Sequence, residues 1–342
     1  MTDIDRPSSS PTACQGSTVF HHATSRITFP ERWRHVLARW GYRRSRHRVE
    51  PGLYALGHPT SESPVFVTAN YALSFDALRV ALKGVDSYVL VLDTKGVNVW
   101  CAAGKGTFGT EELLQRIEST RLCDVVSHRE LVLPQLGASG VSAHAVRQRS
   151  GFRVEYGPVR ASDLPPYLES RTATPEMRRV RFTLRDRVAL IPVELVHVCV
   201  LTLAVAAVFY LIAGSLPAAA AVTSLLTGVV LFPLLLPVIP TANFSTKGFL
   251  LGVVAGAPFA VIAFWQAHSM PVWLRFLRAF PYVPVVSAVT AFLCLNFTGS
   301  TTFTSRSGVK TEIFRYVPVM AVLFGSGVLG SIAFHILRTL GG

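Results

Sequence analysis

Cysteine is scarce in this 342-residue chain, and the five present show no paired spacing. That speaks against a disulfide framework and against a zinc site built on close cysteine pairs. It also speaks against a resident iron–sulfur cluster, which takes about four thiolates. Carboxylates are few as well: 20 Asp and Glu stand against 33 Lys and Arg, for a formal net charge of +13. The long apolar runs of the second half carry no chain of carboxylates that would mark an ion path. Residues 1–25 lack the apolar core of a signal peptide and are rich in Ser, Thr and Pro. They are expected to be disordered and to stay in the cytoplasm.

The basic balance does not point to nucleic acid, because the charge clusters where other causes exist. Arg178, Arg179, Arg181, Arg185 and Arg187 directly precede an apolar span, as expected of the cytoplasmic flank of a membrane helix. Arg39, Arg43, Arg44, Arg46 and Arg48 form a second cluster, which faces anionic lipid or is simply a solvated face. Five apolar stretches follow, at about 190–213, 216–239, 248–268, 279–298 and 316–337, each near the twenty residues a bilayer-crossing helix needs. Gly252 and Gly256 form a small-xxx-small pair that suits close helix approach. Glu194 and His197 fall near the start of the first stretch, close enough to the interface for snorkelling or pairing.

Before these spans the pattern alternates. Glu31 to Trp40 places Trp33, Val36, Leu37 and Trp40 at helical spacing, predicting a short amphipathic helix that packs on the neighbouring domain or, as the alternative, on lipid. Turn residues dominate from Pro51 to Pro64. Strands are predicted at Val65–Thr68, Ser87–Asp93, Asp124–Val126, Leu131–Leu133 and Phe152–Tyr156, with helices at Phe75–Leu82, after Thr110 and at Ala143–Arg149. Thr110, before Glu111 and Glu112, is the expected N-cap of its helix. The fold class expected is an α/β domain, Rossmann-like with a mainly parallel sheet, followed by an all-α five-helix transmembrane domain. Its boundaries are 1–25, a disordered N-terminus; 26–165, the α/β domain; 166–189, a basic linker; and 190–342, the membrane domain.

The chemistry centres on Asn98-Val99-Trp100-Cys101-Ala102-Ala103-Gly104-Lys105, which follows the predicted strand at 87–93. Ligands bind at the carboxyl ends of strands in open α/β sheets. Ala102, Ala103, Gly104 and Gly106 leave little side chain beside Cys101, so a flat ligand could lie there. A thiolate near a helix N-terminus is favoured, and it is a soft donor suited to transition metals. The residues thus fit a single-thiolate ligand to a metal in a planar macrocycle, and equally a buried cysteine beside a tight turn. A thioredoxin-like pair fails because Gly104 stands where the second cysteine belongs. A P-loop fails because Val99 and Gly106 occupy its required Gly and Ser/Thr positions. A Cys–His nucleophile with His128 or His144 stays open, although no protease signature surrounds Cys101.

The octapeptide resembles the cap-helix motif of the mercury-methylating corrinoid proteins, a family related to the corrinoid iron–sulfur proteins of the acetyl-CoA pathway. The resemblance continues in Val67-Thr68-Ala69-Asn70-Tyr71, Leu133 to Ala138, Tyr156 to Arg160 and Phe303 to Lys310, and so covers roughly 50 to 320. It implies a corrinoid (cobalamin-type, cobalt) cofactor with Cys101 as the lower axial cobalt ligand and catalytic residue. It implies that Asn98, Val99, Trp100, Ala102, Ala103, Gly104 and Lys105 shape the cofactor site. Asn98 and Trp100 would fix the loop and shield the cobalt–sulfur face. Lys105 would meet polar groups of the cofactor or be solvated. Thr68, Asn70 and Tyr71 would reach the macrocycle rim or serve as turn residues. The activity implied is a methyltransferase passing methyl to Hg(II), with a ferredoxin-like iron–sulfur electron donor and an upstream methyl-donor methyltransferase as partners. The alternatives are a corrinoid methyl carrier of one-carbon metabolism and a non-catalytic membrane sensor or transporter. The expected location is the inner membrane, multi-pass, with the α/β domain in the cytoplasm and no nucleic-acid partner.

Overall fold

The computed structural model describes residues 20–43, 46–301 and 306–340. Most of the N-terminal stretch expected to be disordered, and part of the Phe303–Lys310 stretch, lie outside these residues. The chain divides into two compact units, 1–32 with 45–179 and 33–44 with 180–342.

The first unit is an α/β sheet built on β1 His21–Ala23, β2 Gly52–Leu56, β3 Val65–Ala69, β4 Ser87–Leu92, β5 Glu130–Leu133 and β6 Arg153–Tyr156. Their spatial order is β1-β2-β4-β3-β5-β6, and every pairing is parallel except β2 with β4. The helix α1 Phe29–Arg39 begins in this unit and continues in the second, and the unit's other helices are α2 Ala72–Ala81, α3 Val99–Lys105, α4 Thr110–Ser119, α5 Leu122–Val125, α6 Ala143–Ser150 and α7 Leu164–Ser170. All residues of β2, β3 and β4 are buried. Strands covered on both faces read as continuous apolar runs rather than alternating ones. Their side chains still separate with period two. Val65, Val67, Leu90 and Leu92 join the core under α3, α4 and α6, while Phe66, Val89 and Val91 join Phe75, Leu78 and Tyr167 on the other face.

Three local readings are corrected. The stretch before Val65 holds β2, which its flanking Pro51-Gly52 and Gly57-His58-Pro59 disguise as turn. Asp124–Val126 is not a strand: Leu122–Val125 forms a helical turn, and Val126 is its extended C-cap. The segment read as disordered through residue 25 contains β1. Arg79, buried on α2, ties down the stretch that follows β1: its Nη1 donates to the carbonyls of Thr24 and Arg26 at 2.5 and 2.6 Å, and its other nitrogens pair with Glu31 and Asp76.

The second unit contains five helices long and apolar enough to cross a membrane: Leu184–Ala213, Ser215–Leu235, Phe244–Gln266, Val272–Asn296 and Ser307–Leu340. The first begins earlier than expected because Thr183 and Asp186 form a capping box there. The second contains a π-helical stretch, Thr227–Leu231, just ahead of Pro233, a place where a helix loses a backbone donor. The glycine pair grows into a ridge of three. A Cβ on Gly248, Gly252 or Gly256 would stand 2.5 Å from Ala291 Cα, 2.4 Å from Ser287 Cα or 2.9 Å from the Tyr282 carbonyl oxygen. The third and fourth spans therefore meet backbone to backbone. Buried polar side chains close helix ends. Arg187 donates to the carbonyls of Pro233 and Leu234, Lys247 to that of Ile239, and Glu312 accepts the Ser245 amide. Arg187 is thus taken from the basic flank and used inside the unit.

Candidate functional site

Between β3 and β4 the chain moves one way across the sheet; after β4 it crosses back over β3 to place β5 on the other side. That reversal leaves a crevice at the strands' carboxyl ends, the general ligand position of open α/β sheets. Asn70-Tyr71, the loop 93–98 and the loop 134–140 all lie at this edge, because β3, β4 and β5 are parallel.

Asn70 organises the edge. Its side chain is buried; Oδ1 accepts the amides of Thr94 and Gly96 at 3.1 and 2.9 Å, and Nδ2 donates to Asp93 Oδ1 at 3.0 Å. Asp93 Oδ1 also accepts the Lys95 amide, and the Thr94 hydroxyl donates to the Val97 carbonyl at 2.6 Å. Lys95 and Gly96 both take positive φ, so the loop turns sharply and needs these bonds to hold it. From α4, Glu112 accepts the Asp93 amide at 2.8 Å and pairs with Arg116.

The loop delivers the chain to α3. Asn98 is its N-cap, accepting the Cys101 amide at 2.9 Å, and Gly106 closes it in the left-handed conformation at φ 83°. The octapeptide is therefore one capped helix. Val99, Ala102 and Ala103 are buried, Asn98, Trp100 and Cys101 half-buried, and Gly104 and Lys105 exposed. Cys101, Gly104 and Lys105 are three and four residues apart and share a face. The small residues thus divide in role. Ala102 and Ala103 seat the helix on the core, and Gly104 alone clears the face beside the thiol.

The seat includes residues the motif did not reveal. A Cβ on Gly140 would fall 2.1 Å from the Phe108 carbonyl oxygen and 3.0 Å from Ala103 Cα; one on Gly137 would strike the Phe108 ring. Tyr156 steadies the same loop by donating to the Val141 carbonyl at 2.6 Å, and burial pushes its phenol pKa up, keeping it a donor. Gly137 and Tyr156 lie in stretches that the resemblance already marks, whereas Gly140 lies outside them. The expected cap at Thr110 is replaced: Gly109 is the N-cap, and Thr110 Oγ1 accepts the Ser142 amide instead. Thr68 is buried within β3, Asn70 is buried under the loop it holds, and Tyr71 is buried at the N-cap of α2.

Among the described residues no three His, Cys, Asp or Glu side chains converge to hold a metal ion. The donor set present is one soft sulfur on a cleared helical face.

Residues 36–168 match the family model of the CO dehydrogenase/acetyl-CoA synthase delta subunit. Similar proteins include the acetyl-CoA decarbonylase/synthase complex subunit gamma of Methanopyrus kandleri, 37% identical over 128 residues, which are 37% of this chain and 27% of that protein. The same subunit of Archaeoglobus fulgidus is 34% identical over 124 residues, 36% of this chain and 26% of its own. The corrinoid/iron-sulfur protein large subunit of Moorella thermoacetica is 28% identical over 129 residues, 37% of this chain and 28% of its own. The chain thus spans about a quarter of the length of these relatives. The five apolar helices all begin beyond the stretch matched by the family model. None of these names refers to mercury.

Proposed function

We propose that residues 36–168 form a corrinoid-binding methyl-carrier module in which Cys101 would hold the cobalt through its sulfur. The observation that carries this is a half-exposed thiol on a capped helix at the sheet's carboxyl edge, with Gly104 clearing its face, in a stretch similar to corrinoid/iron-sulfur proteins. A bound corrinoid supplies a cobalt-held methyl group for transfer to an acceptor. The chain's own residues set the conditions. Asn98 fixes the Cys101 amide, so helix geometry rather than a loose loop directs the sulfur. Axial-ligand identity is a main lever of a protein on a macrocyclic metal, and thiolate is a strong donor. Val99, Ala102 and Ala103 hold the helix to the core.

The relatives' names support one-carbon metabolism of the acetyl-CoA type as the setting. A second reading gives Hg(II) as the acceptor. It is favoured by the octapeptide with its thiol on the open face of α3 and by the five apolar helices outside the matched stretch. Electron donation from sulfur suits a methyl group leaving with its electron pair, and Hg(II) is a soft acceptor for it. Loss of methyl with its electron pair would leave the cobalt oxidised by two electrons, so the second reading calls for a ferredoxin-like electron donor to restore it, and both readings call for an upstream methyltransferase. The basic flank Arg178–Arg185 would hold the α/β unit on the cytoplasmic side.

The test begins with a visible spectrum of the full chain reconstituted with a corrinoid. Cobalt absorption that changes in Cys101→Ala and Cys101→Ser is expected; a folded chain that stays colourless would defeat the module. Methylmercury formed from Hg(II) with a ferredoxin-like partner would support the second acceptor. A Cys101-dependent spectrum without methylmercury would leave the carbon-metabolism carrier.

A further inference from the structure

We infer that α1 and the turn after it form an interfacial membrane helix, lying in the plane of an anionic lipid surface with its aromatic stripe in the headgroup–acyl boundary. The sequence pattern leaves either the neighbouring domain or lipid as the cover of this stripe; in the structure the stripe is exposed. Phe29, Trp33, Val36 and Trp40 recur at four, three and four residues, which is one face of a helix. They are 80%, 57%, 42% and 51% exposed, and Tyr42 extends the patch at 53%. Ala38, only 1% exposed, is the buried residue of the helix and stands on the opposite face. A surface helix of a soluble domain does the reverse, burying its large apolar stripe and exposing its small and polar side.

Three observations choose lipid as the occupant. Residues 33–44 form one unit with the five apolar helices. Within it Gly41 sits at the foot of the first span, where an added Cβ would be 3.3 Å from Val193 Cγ2. From Thr28 to Arg48 there are seven arginines and one carboxylate, Glu31, which is already paired with Arg79. Arg32, Arg34, Arg39 and Arg43 are all exposed beside the stripe. Aromatic anchors flanked by arginines are what an interfacial helix presents to anionic headgroups, and tryptophan concentrates at that depth. The inference rests on the apolar helices spanning a bilayer and is independent of the cofactor.

The test uses the full chain in nanodiscs, with Trp100→Phe, Trp265→Phe and Trp273→Phe so that Trp33 and Trp40 alone report. In anionic nanodiscs their emission should be blue-shifted, and brominated phospholipid should quench about half of it, as burial at the acyl boundary requires. Val36→Glu, in the middle of the stripe, should shift the emission to the red and abolish the quenching. Water-like, unquenched emission from the folded chain would overturn the inference. Equal quenching in zwitterionic nanodiscs would overturn the assignment to an anionic surface. Shielding from iodide that rises with protein concentration and not with lipid would assign the stripe to a second copy, and overturn it equally. A companion variant keeping only Trp265 and Trp273 shows whether the spans themselves have entered the bilayer.

Discussion

The two units bury polar side chains for different ends. In the α/β unit they converge: Asn70 alone holds two loop amides and a carboxylate, and the loop so held aims a seven-residue helix. In the unit of apolar helices each serves backbone groups of its own: Arg187 takes two carbonyls at the end of the second helix, while Lys247 and Glu312 act near the start of the third, on the Ile239 carbonyl and the Ser245 amide. Convergence on one loop positions a group, whereas separate contacts each satisfy buried backbone at a helix end. A functional edge should therefore fail at one residue, and a scaffold should fail by degrees.

Asn70→Ala gives the largest expected effect. It strands the buried amides of Thr94 and Gly96 and frees Asp93, at a cost of about 3–5 kcal/mol. Denaturant melting of the full chain should show the loss, with corrinoid retention falling alongside it. Retention unchanged at lower stability would show that the loop does not aim α3. Gly252→Val should come next. Its Cβ would meet the fourth span's backbone, and overpacking of this kind costs about 1–3 kcal/mol. Thermal melting in detergent reads it, and an unchanged midpoint would show that the spans do not meet along that ridge.

Arg187→Met removes one dispersed contact. Hydrogen bonds to charged groups contribute about 1.5–3 kcal/mol, and longer-range repacking by Met should recover part of that. Its melting midpoint should fall by less than that of Asn70→Ala; a larger fall would end the contrast between the units.

The smallest effect concerns acid. Although burial opposes it, the Thr28 amide and hydroxyl and the Arg79 guanidinium hold the Glu31 carboxyl below its ordinary value. A depressed carboxylate adds stability above its unfolded pKa and loses it as pH falls through the folded one. The contribution, at most about 1 kcal/mol for a partly screened pair, should therefore fade below about pH 4. Glu31→Gln should flatten this acid limb of stability; an unaltered limb would place the titration elsewhere.

Much of this architecture was legible because burial writes itself into composition. The runs at 65–68 and 87–93 announce strands covered on both sides, and the apolar helices announce themselves by length. β2 was not legible, since its five residues gain strand structure from an antiparallel pairing with β4 more than thirty residues away. Val125-Val126 favours strand locally, but helical packing of Leu122 in the core overrides the preference. At the site, the octapeptide marked the right helix. Which of its small residues face inward depended on Gly137 and Gly140 of a distant loop, which periodicity cannot supply. The stripe on α1 was legible as a face, but spacing defines a face and not what covers it.

Gly104 carries one more consequence. Glycine inside a helix costs about 1 kcal/mol relative to alanine, and an isolated helix of seven residues does not persist in water. α3 therefore owes its order to the Asn98 cap, the αL close at Gly106 and the seated alanines. Its amides should exchange with solvent deuterium by local opening, well before those of β3 and β4, whose exchange waits on opening of the sheet itself. The thiol-bearing helix is then a separately melting piece set on a slow-exchanging sheet.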